Sequence, residues 1–518
     1  MFRSISLLCL VALSSCTAQE NWPAAAGPSG DWTLRTTQNP PEHFSVRSGE
    51  NIQWKLTLPE AGQSGLCVWG DKIFFTCLKP VVDAKPASLM VKDIVAFCVD
   101  RKTGKILWQQ DIPGSLAGEA MSGFSDPSSP SPVCDGQRVI FTNASGRVAA
   151  FDLKGAALWA FDFKPVELLN GVHFPFNKQV EPMLAEGLFV HVETDWKGEA
   201  GTAGWNRLAA YDASTGVRRW LSQDALTHYN CPQLGRGPDG KPAILIGRGG
   251  HHSVPEKPDG YSLIRIADGQ RIWSWQAKTG NALYNSSIGP KETLWLSESG
   301  TVQSLDPATG KELRNYSLVD KVDLHLWDAS AGHHGSELGI DLKARKLTVF
   351  PAWYSNILVG RQLFFLCFKP GNYRKGIGPD YCAARLNLDS GRIEYLELPT
   401  AVDNSVKPAA YTWHTEAKSD TRNSRGIDAA HDKRSQRDGW HWNFNGNPVA
   451  VNNRIYFTLM NGLVYCLATD TVDFDAKALL GVSDLGPAGG TWSLNTPSVT
   501  DGVLYHRSAT TLIAVEKK

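Results

Sequence analysis

Short apolar runs, each bounded by turn residues, recur along most of the chain and predict its architecture. In the clearest copy, alternating apolar positions are interrupted by glycine-containing turns and end on an aspartate and then a tryptophan. Its segments are Ser131 to Gly136, Val139 to Phe141, Ser145-Gly146, Val148 to Asp152 and Trp159. Alternation of apolar and polar residues predicts half-buried strands, and Asp-Gly pairs adopt the positive φ angles of tight hairpins. The pattern therefore predicts antiparallel strands joined by short turns.

Eight copies of this pattern follow one another, and their tails repeat parts of one motif in which Ala-x-Asp precedes Thr-Gly and a closing tryptophan. The other copies are marked by Ala96 to Trp108, Ala210 to Trp220, Ile266 to Trp273, Leu305 to Gly310, Leu388 to Gly391, Val464 to Leu467 and Leu512 to Val515. A four-stranded sheet cannot bury both faces alone, whereas radially stacked sheets bury them against each other, with each closing tryptophan on the next copy. The sequence therefore predicts an all-β, eight-bladed β-propeller of four-stranded antiparallel blades.

The last copy lacks an outermost strand, and the N-terminal part of the chain supplies one. Residues Asn51 to Leu56 have the form of a closing strand. We expect this strand to complete the last blade and close the ring, which also removes a sheet edge that would promote aggregation. The propeller is therefore predicted over residues 51–518, after an N-terminal extension over residues 19–50.

The repeat S-P-x-x-x-D-G…A-x-D-x-x-T-G-x-x-x-W resembles the PQQ-like repeat of the quinoprotein alcohol dehydrogenase-like propellers, over roughly residues 50–518. The opening Asn21-Trp22-Pro23 with Gly27-Pro28 resembles the start of many exported bacterial members of this group. The family also includes the propeller lipoprotein of the outer-membrane β-barrel assembly machine. The resemblance implies the fold and says little about function.

Residues 1–18 resemble an export signal. Arg3 precedes an apolar run from Ile5 to Leu13 that is too short to span a bilayer. The segment Leu13 to Cys16 resembles a bacterial lipobox, in which Cys16 would be lipidated, and ordinary cleavage after Ala18 is the alternative. No later run is long and apolar enough for a transmembrane helix. We therefore expect an exported protein, either periplasmic or anchored to the outer membrane through a lipid.

Charge and cysteine content disfavour several functions. Lysine plus arginine and aspartate plus glutamate each number 52, so the net charge gives no reason to expect nucleic acid as a partner. Eight cysteines besides Cys9 and Cys16 include no C-x-x-C pair, which disfavours zinc ribbons, thioredoxin-like motifs and c-type haem attachment. Most lie in apolar strand-like runs and are predicted to be buried, with disulfides in an oxidising envelope as the alternative.

Two connections between blades are much longer than a linker requires, near residues 316–352 and 400–446. Both join the last strand of one blade to the first strand of the next, so we expect them to share one face of the ring. Long structured loops in compact folds are more often functional than accidental. Decorative or partly disordered insertions are the alternative, especially over residues 418–437.

Polar and aromatic side chains precede the innermost strand of most blades and are predicted to converge on the mouth of the central channel. Such groups suit stacking and directional hydrogen bonds to a peptide or a polar small ligand. This candidate ligand site contains Phe124, Asp126, His173, Asn177, His228, Asn230, Tyr284, Asn285, Tyr354, His441, Trp442, Asn443, Trp492 and Asn495. The alternative is that these groups satisfy backbone atoms at blade entrances.

The resemblance also raises the question of PQQ with calcium. Enzymes of the family generally place two adjacent cysteines over the cofactor, hold calcium with a Glu/Asn/Asp set and use an aspartate base. This sequence has no Cys-Cys pair and no recognisable counterpart of the calcium set, so PQQ with calcium stays an alternative. The pairs His251-His252 and His333-His334 lack metal-binding spacing, since adjacent strand residues point to opposite faces, and no metal site is predicted.

From the sequence we expect a non-catalytic binding or scaffolding propeller of the bacterial cell envelope. It would act as a monomer on an envelope protein, a peptide or a polar small ligand, and no catalytic residue is assigned. A PQQ- or metal-dependent oxidoreductase of the quinoprotein class is one alternative. An outer-membrane protein assembly lipoprotein is the other.

Overall fold

The computed structural model describes residues 20–80, 92–115, 126–165, 181–195, 197–201, 203–224, 230–249, 257–278, 285–297, 299–371, 380–414, 446–487 and 491–518. These residues form strands and one short 3-10 helix, Ala476–Ala478. The predicted all-β fold is confirmed, since eight blades, each built on four antiparallel strands, form a propeller ring. In the described part of the chain, no helix has the length and apolar character needed to cross a bilayer.

Two strands near the N-terminus, β1 (Thr33–Leu34) and β2 (Ile52–Thr57), join blades formed much later in the chain. Blades 1 and 2 contain β3 (Cys67–Trp69), β4 (Lys72–Leu78), β5 (Ile94–Asp100), β6 (Ile106–Ile112), β7 (Val133–Cys134), β8 (Arg138–Asn143), β9 (Arg147–Asp152) and β10 (Ala157–Asp162). Blades 3 and 4 contain β11 (Met183–Ala185), β12 (Leu188–Asp195), β13 (Trp205–Asp212), β14 (Arg218–Leu221), β15 (Gln233–Arg236), β16 (Pro242–Arg248), β17 (Gly260–Arg265) and β18 (Arg271–Gln276).

The remaining blades carry the additions to the repeat. Blade 5 and the hairpin after it contain β19 (Ser287–Ile288), β20 (Thr293–Ser297), β21 (Thr301–Leu305), β22 (Glu312–Ser317), β23 (Val322–Asp328) and β24 (His333–Ile340). Blade 6 and its hairpin contain β25 (Pro351–Val359), β26 (Gln362–Phe368), β27 (Tyr381–Asn387), β28 (Ile393–Glu397), β29 (Ala401–Asp403) and β30 (Ala410–Thr412). Blades 7 and 8 contain β31 (Val449–Val451), β32 (Arg454–Thr458), β33 (Leu463–Ala468), β34 (Leu479–Asp484), β35 (Ser498–Thr500), β36 (Val503–Arg507) and β37 (Thr511–Val515).

Burial follows the position of a strand within its blade. In blade 1 the second and third strands, β4 and β5, are buried on both faces because each face packs against a neighbouring blade. The fourth strand, β6, alternates between exposed and half-buried residues because it lies at the outer rim. The core is therefore a ring of interfaces between blades.

Each closing tryptophan covers a turn of the next blade. The indole of Trp220 in β14 lies against Gly269, where an added Cβ would be 2.5 Å from the Trp220 ring, and its N–H donates to Ile266 O at 2.8 Å. The same arrangement joins Trp54, Trp108, Trp159 and Trp273 to Gly104, Gly155, Gly216 and Gly310. At the next junction Tyr316 takes the place of tryptophan and donates its hydroxyl to Leu388 O at 2.8 Å. The predicted packing of closing tryptophans on the next blade is confirmed at these junctions.

The ring closes by pairing the two ends of the chain. Strand β2 pairs antiparallel with β37 and becomes the outermost strand of blade 8, as predicted for residues 51–56. The guanidinium of Arg507 in blade 8 is buried and donates to Thr76 O at 2.8 Å and Gly62 O at 2.9 Å on the blade 1 side. The same group lies 5.3 Å from the ring centroid of Phe75. Backbone pairing and a buried cation therefore both tie blade 8 to the N-terminal part of the chain.

Blade 6 is wider than the other blades. The hairpin β23–β24 pairs with its outermost strand through a parallel contact between β23 and β28, which gives a six-stranded sheet. The second long connection contributes the small hairpin β29–β30. The described parts of both insertions therefore meet at blade 6.

The contact between tryptophan and glycine predicts unequal effects for two similar substitutions. Gly269 and Gly187 have φ angles of 70° and 75°, but only a Cβ at Gly269 would clash, since nothing lies within 4 Å of one at Gly187. We expect Gly187→Ala to lower the free energy of unfolding by about 1 kcal/mol, from backbone strain alone. Gly269→Ala should lower it by about 3 kcal/mol, because overpacking adds to that strain. Equilibrium denaturation measures both, and equal losses would contradict the proposed role of the indole contact.

Candidate functional site

The order of strands in each blade distinguishes the two faces of the ring. The first strand of a blade begins at one face, which we term the entrance face, and ends at the opposite face, the exit face. The connections between blades run along the entrance face, together with the turns between second and third strands. The described parts of both long insertions lie in these connections, as do Asp126, Asn230, Asn285, Trp492 and Asn495, while Tyr354 lies in the first strand of blade 6.

The structure describes six of the residues predicted at the mouth: Asp126, Asn230, Asn285, Tyr354, Trp492 and Asn495. All six are buried. The others, Phe124, His173, Asn177, His228, Tyr284, His441, Trp442 and Asn443, lie outside the described residues, as do Cys16 and His251-His252. The convergence of the full set on a ligand therefore stays a prediction.

The amide of Asn285 joins the entrance of blade 5 to blade 6. Its Nδ2 donates to Tyr354 O at 2.8 Å and to Asn356 O at 3.0 Å, while its backbone N–H donates to Asn356 Oδ1 at 2.9 Å. The Nδ2 of Asn356 in turn donates to Asn285 O at 3.1 Å. This reciprocal pair satisfies backbone groups of both blades, which is the role that the alternative interpretation expects.

Asn230 and Asp126 make contacts of the same kind. Asn230 Oδ1 accepts hydrogen bonds from Gly247 N at 2.9 Å and Ser286 Oγ at 2.6 Å, which links blade 4 to the start of blade 5. Asp126 Oδ1 accepts from Ser128 N at 2.7 Å and Ser128 Oγ at 2.5 Å. Both side chains thus hold the turn that leads into a first strand.

Asn495, Trp492 and Tyr354 lie at further blade entrances. Asn495 Nδ2 donates to Arg507 O at 3.4 Å, while Trp492 and Tyr354 belong to one apolar cluster near blade 6. Trp492 Nε1 and Asn285 Oδ1 are buried atoms with no hydrogen-bond partner among the described residues. A polar ligand or an undescribed part of the chain would satisfy these two atoms, since buried polar groups are rarely left unpaired.

The N-terminal extension closes the exit end of the channel. Trp22 exchanges two backbone hydrogen bonds with Val68 in β3, at 2.8 and 2.9 Å, and Pro23 O accepts from Cys134 N in β7 at 2.9 Å. The segment then contacts blade 4, where Gly30 O accepts from Leu234 N at 3.1 Å, and blade 7, where β1 pairs parallel with β31. First strands line the channel, so a segment that contacts four of them crosses it. A ligand would therefore reach the axis from the entrance face.

The two long insertions meet in an aromatic contact above blade 6. The rings of Trp327 and Trp413 stack with centroids 4.2 Å apart and an interplanar angle of 5°. The imidazole of His334 lies edge-on, 5.2 Å from Trp413, and its Nε2 contacts Glu397 O at 2.9 Å. We refer to β23, β24, β29, β30 and residues 413–414 as the blade-6 platform. Its two hairpins come from different connections and act as one surface.

Below this stack lies a group of charged residues, the blade-6 cluster: Lys369, Asp380, Glu397 and His414. His414 Nδ1 is 3.2 Å from Asp380 Oδ1 and 3.5 Å from Glu397 Oε1. Lys369 Nζ donates to Glu397 Oε1 at 2.9 Å. Asp380, Glu397 and His414 are the one group of His, Cys, Asp and Glu residues, among those described, whose atoms are close enough to share a metal ion.

Sequence reasoning missed the blade-6 cluster. Lys369 follows the second strand of blade 6, Asp380 precedes its third strand, Glu397 ends its fourth, and His414 lies in the second insertion. Four separate positions in the chain therefore supply the group, and no local spacing marks them. The length of the second insertion was the only available signal.

A second candidate is a polar cavity of about 330 Å³ between blades 2 and 3. Glu193 Oε2 accepts a hydrogen bond from the Tyr211 hydroxyl at 2.7 Å, and Arg218 Nη1 lies 3.6 Å from Glu193 Oε1. Burial alone would raise the pKa of Glu193, but contacts from His191, Tyr211 and Arg218 lower it below its usual value. Acidic and basic groups both line this cavity, and they include Asp162, Lys164, Asp195, Lys197 and Glu199. The lining suits a polar ligand without selecting a chemical class.

Comparison with solved structures identifies the fold. A quinohemoprotein alcohol dehydrogenase (ADHIIG) from Pseudomonas putida HK5 matches with a TM-score of 0.50 at 12% identity, over 96% of this chain and 80% of that chain. A europium-containing methanol dehydrogenase matches with a TM-score of 0.51 at 12% identity, over 94% and 89%. The chain has the eight-bladed PQQ-like propeller fold of these dehydrogenases.

Other comparisons add little to this result. BamB from Moraxella catarrhalis matches with a TM-score of 0.36 at 13% identity, over 74% of this chain and 95% of that chain. No protein-family profile matches the sequence, and no curated protein matches it. At this identity the likeness concerns the fold alone.

The described residues do not match the cofactor site that the PQQ-like propeller fold implies in enzymes. The eight described cysteines are buried, and no two of them are adjacent in the sequence: Cys67, Cys77, Cys98, Cys134, Cys231, Cys367, Cys382 and Cys466. Burial raises the pKa of Cys98 to about 12, so this thiol stays protonated. The metal-competent group lies at the ends of the third and fourth strands of blade 6 and in the second insertion, away from the first strands that line the channel.

The reciprocal asparagine pair predicts a stability effect that separates its two interpretations. Asn285→Ala should lower the free energy of unfolding by about 2 kcal/mol, because it removes the buried hydrogen bonds from Nδ2 to Tyr354 O and Asn356 O. Asn315→Ala, at an exposed position of β22, should change it by less than about 0.5 kcal/mol. Equilibrium denaturation tests both. Unchanged stability of Asn285→Ala would instead leave the amide available for a ligand.

Proposed function

We propose that this protein is a non-catalytic binding or scaffolding propeller of the bacterial cell envelope, and that its partner contacts the blade-6 platform. The observation that carries the proposal is the union of two long insertions on a single blade. One extends the sheet of blade 6 and the other packs against it through Trp413. Additions that depart from a repeat and pack against each other suggest a selected surface, because a decorative loop needs no such contacts.

The chemistry of the platform supports a protein partner. Half-buried aromatic rings and charged groups lie side by side, and Leu338 in β24 is 64% exposed. Tryptophan is enriched among the residues that dominate binding energy at protein interfaces. Among the described residues, strand β24 also pairs on one side only, with β23, so its other edge offers backbone groups to an extended partner segment.

A site-specific crosslink tests this proposal. A photoreactive residue in place of Leu338 should capture one defined envelope protein in intact cells. The matched control is Val472, which is 89% exposed and lies between the third and fourth strands of blade 7, at the exit face. Equal capture at both positions, or none at Leu338, would contradict a partner at the platform.

A titration of the same protein with PQQ and calcium tests the oxidoreductase alternative. We expect no saturable heat of binding when the full mature chain is titrated with PQQ and calcium. Near-stoichiometric binding would replace the scaffolding proposal with the quinoprotein interpretation. The assembly-lipoprotein alternative would instead gain from a crosslink at Leu338 to a component of the outer-membrane assembly machine.

The lipid anchor at Cys16, which belongs to this proposal, would orient the propeller. Glu20 is tied to the exit face, where its backbone N–H donates to Asp501 Oδ1 at 3.2 Å and its Oε2 accepts from Asp501 N at 2.8 Å. Cys16 and Glu20 are four Cα–Cα steps apart, a span of at most about 14 Å. A lipid on Cys16 would therefore hold the exit face close to the bilayer and direct the platform away from it.

Nitroxide lipids test the orientation in vesicles. The eight described cysteines are buried, so cysteines introduced at exposed Lys102 and Lys407 accept a fluorophore selectively. The label at Lys102, at the exit face, should be quenched, and the label at Lys407, in the β29–β30 turn, should not. Cys16→Ser should abolish the difference. Stronger quenching at Lys407 would overturn the orientation.

A further inference from the structure

We propose that Asp380, Glu397 and His414 bind a divalent transition-metal ion of the zinc class on blade 6. Each residue offers one donor atom, and the three donor atoms lie within 4.8 Å of one another. The donors are an imidazole nitrogen and two carboxylate oxygens. That mixed set suits zinc and its first-row neighbours, whereas calcium and magnesium prefer oxygen alone.

The distances between donors match those around a bound ion. His414 Nδ1 is 3.2 Å from Asp380 Oδ1 and 3.5 Å from Glu397 Oε1. Zinc bonds to nitrogen and oxygen are about 2.0 to 2.2 Å long, so neighbouring donors of a tetrahedral site are about 3.3 Å apart. The two distances from His414 therefore match a tetrahedral site, and the third, between the two carboxylates, is at most 4.8 Å.

Neighbouring groups hold two of the donors in place. Glu397 Oε2 accepts a hydrogen bond from Trp327 N at 2.9 Å, which leaves Oε1 directed at His414. His414 directly follows Trp413, which is fixed by its stack on Trp327. Support of this kind orients ligands in known metal sites, where its loss typically weakens binding 10- to 100-fold.

The site has an access route. The carboxylates of Asp380 and Glu397 are buried, whereas the side chain of His414 is 38% exposed. An ion would reach the carboxylates from the side of the imidazole. Three protein donors leave a fourth position for water or for an atom of a partner.

Lys369 competes with the ion for Glu397. Its ammonium lies 2.9 Å from Oε1, the oxygen that faces His414. The Lys369 side chain is 21% exposed, and its flexible stem lets the ammonium turn towards solvent when an ion binds. Removal of this ammonium should therefore strengthen metal binding, an effect opposite to that expected for a residue that only supports the site.

A bound ion would also affect the blade-6 platform. Asp380 directly precedes the third strand of blade 6 and Glu397 ends its fourth, while His414 belongs to the second insertion. The ion would therefore crosslink that insertion to the blade. Metal occupancy would then control how firmly the platform is attached to blade 6. This effect does not depend on whether PQQ or a protein binds elsewhere.

Calorimetric titration with zinc of the full mature chain, freed of metal with a chelator, tests the proposal. We expect one equivalent of zinc to bind, with affinity at least 10-fold lower in His414→Ala and at least 10-fold higher in Lys369→Met. His43→Ala is the matched control, because His43 Nδ1 lies 3.6 Å from a single carboxylate, Glu50. That variant should bind zinc as the unmodified chain does.

The outcomes are distinct from those of the crosslinking experiment, which uses no metal. Equal zinc affinity in His414→Ala and the unmodified chain would overturn the site. The absence of saturable binding even in Lys369→Met would overturn it as well, and the cluster would then be an ion-pair network. If the calorimetric heats are small, quenching of tryptophan fluorescence by cobalt provides a second test. Quenching that is reduced in His414→Ala would place the ion beside Trp413.

Discussion

The contact between a closing tryptophan and a glycine of the next blade is the constraint on which the ring depends. A blade alone exposes both faces of its sheet, and only the next blade can cover them. At Gly216 and Gly269 the backbone turns with positive φ and leaves no Cβ, so an indole lies directly on the turn. Each such indole also donates to a carbonyl of that turn, which fixes the angle between blades as well as their distance.

The segments added to the repeat lie where this tryptophan–glycine contact is missing. Tyr316 replaces tryptophan at the junction from blade 5 to blade 6, and it is there that the hairpin β23–β24 is added. Around blade 7 the N-terminal extension is added instead. Pro40 O accepts from the Tyr456 hydroxyl at 3.1 Å, and Phe44 N donates to Ser483 Oγ at 2.9 Å. Departures from the repeat therefore coincide with added chain, which takes over the covering of the blade faces.

The fold could be predicted from the sequence because the signals that indicate it are local and repeated. Turn glycines, alternating strands and closing tryptophans each lie within one copy, so the blade count and the strand β2 that closes the ring could be inferred. The closure of the channel by the N-terminal extension could not be inferred in this way. Asn21 to Gly30 contain no strand pattern, and their partners Val68 and Leu234 are far away in the chain. Residues that resembled the start of other family members thus have a structural role that no local pattern reveals.

The candidate ligand site was harder to predict, because an asparagine side chain can form hydrogen bonds with backbone groups as readily as with a ligand. The amides of Asn230 and Asn285 were predicted as ligand groups at the channel mouth, and only their contacts show that they join one blade to the next. The blade-6 cluster presents the opposite case. Asp380, Glu397 and His414 carry no local signal and meet only because blade 6 brings together its strand ends and an insertion.

The asymmetry of the ring limits where function can lie. The exit end is closed by the extension, and its tryptophans Trp22 and Trp32 are fully buried there. A ligand on the axis and a partner on the platform must therefore share the entrance face. Because the repeat itself is common to propellers of unrelated function, specificity in this chain resides in what was added to the repeat. Lys369 and His414 illustrate this, since one belongs to the repeat and the other to the addition, and both face the same carboxylate oxygen.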